Sequence, residues 1–436
     1  MRKYQMKKLS IIIILLLPAI LFIFCQPAPV IKIEIKETED GFVLYRKGEP
    51  YFIKGAGIES HYDKLAKSGG NSIRVWGINQ WEEAFRMAEK YGLTVCAGMW
   101  LEQERQGFDY DDQEAVDAQF ESLKSAILKY KDHPALLMWG VGNELDLMFE
   151  NPKVWDAVEQ VAAYINEVDG KHPIMTATAF IREDVVAQIK SRAPSIDILA
   201  VNAYAGLPSV AEFVREYGWD KPYILGEWGT VGHWEVPLTS WDEPIELTSH
   251  EKAHVYRTGY EEHILTDPAC LGGYVFLWGA KQERTPTWYS MFLPTGEKTE
   301  SVDAVYQLWQ GHAPENRSPV LDSLRLNDQC AHSDIILEPS SENVARVWAT
   351  DPDNDELTLT WEILHETTDK GEGGDREEKP DKVEGLKNRQ VEDKLYFQAP
   401  EQEGPYRLFI YVYDKRGGGA HANIPFYVSR QTAGLR

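Results

Sequence analysis

The sequence predicts an α/β chain: a (β/α)8 TIM barrel followed by a small all-β immunoglobulin-like sandwich. Three observations lead there. Between residues 49 and 312, short and continuously apolar segments alternate with amphipathic helical ones. Strands buried on both faces read this way, and such strands build parallel sheets. Eight such units span about the length of one closed barrel, ~250 residues. Beyond 312 the pattern changes to period-two alternation between turn signals, which marks an antiparallel sandwich.

The eight strand segments are 51–58, 71–77, 93–100, 135–143, 173–180, 197–204, 222–229 and 271–279. Helical patterns are clearest at 80–92, 112–132, 151–170, 248–265 and 301–310. Thr248 and Glu251 form a capping box for the fourth of these. The first connection, 61–70, is short for a crossover helix. An open doubly wound sheet is the alternative, but no GxGxxG follows the first strand. Residues 31–50 read as a hairpin closing the barrel bottom, so the barrel unit is 31–312. Residues 313–319 are a Pro/Asn/Ser linker. The sandwich is expected over 320–430. Within it, the charged, Gly-rich stretch 367–390 reads as a long mobile loop. DPDND (351–355) is a turn by composition, with a Ca²⁺ site as the alternative.

The chain has 436 residues, with 69 acidic and 45 basic side chains, a formal charge of −24. That surface repels phosphate backbones, so nucleic acid is not an expected partner. Residues 1–8 are basic, and 9–24 are almost unbroken apolar sequence. This is the pattern of an export signal over 1–25, with an uncleaved anchor as the alternative. Cys25 follows directly, which resembles a bacterial lipoprotein signal, although Phe24 stands where that pattern has a small residue. A lipid anchor at Cys25 is thus the one expected link to a membrane, and the protein is expected at the cell surface, in the periplasm or secreted. Cys96, Cys270 and Cys330 have no CxxC or metal-type spacing. No cofactor and no metal site is expected. Of the 14 Trp residues, all but Trp348 and Trp361 lie in the barrel part, where rings can stack on sugars.

In such a barrel the active site lies at the carboxyl ends of the strands. There the fourth strand ends in Asn143 and Glu144, the sixth in Asn202 and Tyr204, and the seventh in Glu227. The second carries Arg74 and Trp76, and the eighth carries Trp278. Charged groups in apolar strands are costly to bury without partners. Two carboxylates at one barrel mouth point to paired acid–base and nucleophilic chemistry.

The set resembles the clan A glycoside hydrolases, which are retaining enzymes on this barrel. The segments KPYILGEWG, VNAYAG and IRVWG are most similar to the barrel domain of glycoside hydrolase family 2, with family 5 close. GEPYFIKGAG is similar to fungal β-1,3-glucanosyltransferases of the same clan. The resemblance covers 41–312, and the third and eighth strands follow neither family closely, which leaves the sugar open. It implies Glu227 as nucleophile and Glu144 as acid/base, with its pKa raised beside Glu227. It further implies that Tyr204 hydrogen-bonds the nucleophile, that Arg74 keeps Glu227 ionised, and that Asn143 holds the sugar 2-hydroxyl. Trp278 would floor the subsite of the attacked sugar. Asn202, Trp76 and Trp100 are further substrate-contact candidates, with polar core or barrel packing as the alternative, and His61 is another, a metal role there lacking partner ligands. Trp234, Trp241 and Trp288 are candidate sugar platforms in loops, and Glu102 and Glu104 read as solvated acids.

The expected function is therefore an exported retaining β-glycoside hydrolase acting on polysaccharide or oligosaccharide, with a β-glucan type favoured. A transglycosylase using the same glutamates and a non-catalytic carbohydrate-binding protein are the alternatives.

Overall fold

The computed structural model describes residues 31–430. The expected export signal and Cys25 lie outside the described residues. The eight expected strands form as Ile53–Ile58, Ser72–Val75, Thr94–Met99, Leu136–Asn143, Ile174–Thr178, Ile198–Ala203, Tyr223–Gly229 and Cys270–Trp278. They close in sequence order into one parallel barrel, the eighth strand pairing with the first. Almost every strand residue is buried, because helices cover the outer face and side chains fill the lumen.

The helices follow their apolar periodicity. In Trp81–Tyr91 the buried residues Trp81, Ala84, Phe85 and Ala88 form one stripe against the barrel. The Thr248 box is made in both directions: Thr248 Oγ1 accepts from the Glu251 amide (3.2 Å) and Glu251 Oε2 from the Thr248 amide (2.8 Å). That helix, Ser249–Thr258, runs on into a π-helical turn at Gly259–Ile264. The short first connection holds a helix of only six residues, Tyr62–Lys67.

The hairpin of Ile33–Thr38 and Gly41–Arg46 plugs the amino-terminal face of the barrel. Ile33 and Leu44 join a cluster with Ile53, Met138, Ile198, Ile224 and Leu271 in the lower lumen. The amides of Ile33 and Phe42 donate to Lys171 O (3.0 Å) and Pro268 O (2.9 Å), in loops that feed the fifth and eighth strands. Cys96, Cys270 and Cys330 are free thiols. Burial pushes the Cys96 thiol up to about 12, so it packs as an inert side chain.

The carboxy-terminal part is a sandwich of two four-stranded sheets. One holds Val320–Leu326, Glu342–Thr350, Lys394–Gln398 and Asn388–Val391. The other holds Ile336–Leu337, Gly419–Val428, Gly404–Tyr413 and Thr358–His365. DPDND is a turn: Asp351 Oδ1 accepts from the amides of Asp353 (2.8 Å) and Asp355 (3.0 Å), and Arg317 and Arg416 neutralise Asp353 and Asp355.

The sandwich is joined to the barrel through a buried polar seam. Arg407 donates to Glu366 Oε1 (2.8 Å), Asn423 Oδ1 (2.8 Å) and Pro244 O (2.9 Å). Glu246 accepts from Lys252 (2.5 Å), Thr285 (2.6 Å) and Asn423 (2.5 Å). The expectation of a mobile loop at 367–390 is corrected here. Its end forms the strand Asn388–Val391, and its middle is pinned to the barrel: Arg105 grips Asp375 with two hydrogen bonds (2.8 and 2.9 Å), and Glu377 is buried. Three of the charges that suggested solvation, Lys370, Asp375 and Glu377, pair with Glu243, Arg105 and Arg284 of the barrel.

Candidate active site

The site starts from a buried cation. Arg74 on the second strand is 1% exposed and must find acceptors inside the barrel. Its Nη1 donates to Gly226 O (2.7 Å), Glu227 Oε1 (3.1 Å) and Asn202 Oδ1 (3.3 Å), and its Nη2 to Asn143 Oδ1 (2.6 Å). Strands two, four, six and seven are thereby tied at one level. Gly226 permits this approach, since a Cβ there would fall 2.6 Å from Asn202 Oδ1.

Glu227 projects from the seventh strand just past a register shift between Leu225 and Glu227. Its Oε1 also accepts from Trp76 Nε1 (2.9 Å), and its Oε2 from the Tyr204 hydroxyl (2.9 Å). Burial, then the charge of Glu227, raises Tyr204 well above its usual pKa, so this hydroxyl stays protonated and donates. Glu144 leaves the fourth strand in the left-handed region (φ 50), its amide donating to Ala177 O (2.8 Å). Its carboxylate has one close donor, Asn202 Nδ2 at 2.8 Å. Burial, and then the nearby Glu227, push Glu144 up to about 8. Gln103 Nε2 secures the turn by donating to Asn143 O (2.8 Å).

Above this layer opens a cavity of about 470 Å³, within the usual span of small-molecule sites, ~300–1,000 Å³. Trp76, Trp100, Asn143, Glu144, Tyr204 and Glu227 line it, while Arg74 and Asn202 lie beneath as the supporting layer. Two expected contacts are corrected. Trp278 is fully buried on the outer side of the eighth strand, where its Nε1 donates to His61 O (3.2 Å) and its ring packs on Phe292. The register shift between Val275 and Trp278 causes this: Phe276 and Leu277 both face the mouth and Trp278 turns away. His61 adopts the left-handed conformation at the start of the short helix and stacks on Phe292 (4.1 Å), outside the cavity.

Of the loop tryptophans, exposed Trp234 lines the cavity, edge-on to Tyr204. Trp288 is buried with Nε1 bonded to Val231 O (3.0 Å), and Trp241 packs on Tyr427 of the sandwich. Glu104 Oε2 accepts from two backbone amides, and Glu102 is exposed. Sequence reading missed Glu59, Lys281 and Glu283, and also Glu372, Gly373, Gly374 and Asp375 from the sandwich. Glu59 directly follows the first strand, so the strand-end rule that selected Glu144 would have found it. Nothing local to 372–375 marks those residues as part of a barrel mouth.

A parallel barrel carrying two glutamates on strands four and seven, one hydrogen-bonded by three donors and the other held protonated, defines a class of paired-carboxylate catalyst. Residues 56–240 match the family described as "Glycosyl hydrolases family 2, TIM barrel domain". The barrel is thus similar to that family over a segment that makes up under half of the chain. Human β-glucuronidase is 23% identical over 233 residues, which is 48% of this chain and 34% of that protein. A β-galactosidase of Lactobacillus delbrueckii subsp. bulgaricus is 25% identical over 136 residues, covering 25% of this chain and 13% of that one. The chain thus spans about a third of the length of the curated β-glucuronidase it matches. Among solved structures, the FMN-binding β-glucuronidase from Facaelibacterium prausnitzii L2-6 aligns with 92% of this chain and 60% of its own, at 13% identity and a TM-score of 0.49.

Proposed function

We propose that this protein is an exported, retaining β-glycoside hydrolase acting on β-linked oligosaccharides or polysaccharides, with β-glucans as the favoured class. The observation that carries the reading is the unequal company of the two glutamates. Glu227 has Arg74, Trp76 and Tyr204 on its oxygens, which orients it for attack on the anomeric carbon. Glu144, pushed up to about 8, holds its proton at neutral pH and can give it to the leaving oxygen. After the leaving group departs, Glu144 has become the base that draws a proton from the incoming water, and the glycosyl–Glu227 ester is hydrolysed with retention. Asn143 has its Oδ1 taken by Arg74, which leaves its amide N–H for the sugar 2-hydroxyl.

A neutral sugar fits this cavity better than a uronic acid. Lys281 is the one cation among the described lining residues, and it is engaged by Glu283 (2.9 Å) and Gly374 O (2.7 Å). Glu59 and Glu372 add carboxylates around it, while Asp375 is paired with Arg105. A substrate carboxylate would meet repulsion there. The rings of Trp100, Trp234 and Phe276 at the rim favour a second reading, transfer to a stacked sugar acceptor in place of water.

The test is a panel of aryl β-glycosides and soluble β-glucans, with the anomer of the first product read by NMR. The expected result is a retained β-anomer and a loss on the order of 10⁴-fold or more in Glu227→Ala, by analogy with removal of other catalytic nucleophiles. An inverted product, or equal turnover in that variant, overturns the reading. Products longer than the substrate select transfer. Export is tested separately, by locating the protein in cell fractions with and without residues 1–25.

A further inference from the structure

We propose that residues 370–377 of the sandwich form a fixed strap across the barrel mouth, and that this strap limits the enzyme to short glycosides and chain ends. The inference rests on the hydrolase reading above and adds to it a specificity element from a second domain.

The strap runs from one side of the mouth to the other. At its root, Lys370 Nζ bonds Glu243 Oε1 (2.9 Å), in the loop after the seventh strand. Arg284, after the eighth strand, donates its amide to Glu377 Oε2 (2.6 Å) and its Nη2 to Gly371 O (3.2 Å). Lys281 Nζ holds Gly374 O. At the far side Arg105, after the third strand, grips both oxygens of Asp375, and Gln106 Nε2 adds a bond of 3.0 Å. Strands seven and eight stand opposite strands three and four in an eight-stranded ring, so these anchors define a chord over the paired glutamates.

The tip is built for close approach. Gly373 (φ +57) and Gly374 (φ +77) both lie in the left-handed region. A Cβ on Gly373 would fall 2.7 Å from Leu147 Cδ2 and 3.2 Å from Arg105 Nη2. The motif GEGGD therefore lies close against Leu147 and Arg105, in a backbone conformation that branched residues rarely adopt. Its backbone and Asp375 become one wall of the cavity. An open groove across a barrel mouth admits the middle of a polymer. A chord over that groove obstructs it and leaves room for a terminal unit and its leaving group.

The experiment measures kcat/KM for an aryl β-glycoside and for a series of oligosaccharides of the same sugar and increasing length, with full-length protein. Asp375→Ala releases the far anchor and Gly373→Val displaces the tip. Arg376→Ala, on the exposed side, is the control. Thermal unfolding verifies that each variant is folded. The expected result is that the ratio of long to short substrates rises severalfold in both strap variants and not in the control, with internal cuts appearing in polysaccharide digests. An unchanged ratio in a folded strap variant, or internal cutting by the wild type, overturns the strap. If the wild type and every variant leave all aryl glycosides intact, the hydrolase reading itself has failed.

Discussion

Glu144 at the barrel mouth and Glu246 at the seam with the sandwich are both buried carboxylates, and their surroundings drive them in opposite directions. Burial works to raise each one. At Glu144 it prevails, because the charge of Glu227 adds to it and one amide is the close donor. At Glu246 the charge of Lys252 and the bonds from Lys252, Thr285 and Asn423 overcome burial and hold the group at about 2. His421 beside it is pushed down to about 3, by burial first, and stays neutral. The seam is a satisfied network that fixes one domain on another. The mouth is an under-supplied one, whose deficit keeps a proton on Glu144.

The largest expected effect is at the seam. Lys252→Ala leaves Glu246 buried without its cation and should cost roughly 3–5 kcal/mol in denaturant unfolding. A loss well under 1 kcal/mol would break the contrast. Next, Glu144→Gln should stabilise the fold at pH 7, by up to roughly 3 kcal/mol. The direction follows from its raised pKa. Between 4.5 and about 8 the folded protein keeps a proton that the unfolded chain has released, so stability falls as pH rises through that window. The gain from Gln should therefore vanish below pH 4.5. Glu246 behaves in reverse: its contribution is full above 4.5 and is lost as pH falls toward about 2. Glu246→Gln should thus destabilise the protein at neutral pH, in the same assay.

The chemistry carries the third expectation. In the proposed mechanism the acid is protonated Glu144, so kcat/KM on an aryl glycoside should fall above pH about 8, approaching ~10-fold per unit. A flat profile to pH 10 would remove Glu144 from that role. The smallest effect is at the rim. Trp234→Ala should raise KM about fivefold, near 1 kcal/mol, by the usual worth of a ring contact. Its unfolding midpoint should not move, since Trp234 is 60% exposed.

The chemical layer was legible because each part is local. A strand buried on both faces announces itself in an apolar run, and the residue that ends it takes a known place at the mouth. Asn143, Glu144, Asn202, Tyr204 and Glu227 were found that way. Trp278 and His61 were misplaced because the same rule assumes regular alternation and an extended exit. A register shift turned one residue away, and a left-handed turn did so with the other. The strap was not legible at all: Arg105 and Asp375 are 270 residues apart, and GEGGD has the composition of solvated loops. Its charges find partners only when the sandwich docks.

Apolar periodicity and strand-end motifs, carried in short windows of sequence, were enough to determine the barrel, the sandwich and the paired glutamates. The tertiary structure alone decided the protonation of those glutamates, the exclusion of Trp278 and the closing of the mouth by a second domain. Each of these depends on which groups meet after distant segments pack, and on how little water remains between them.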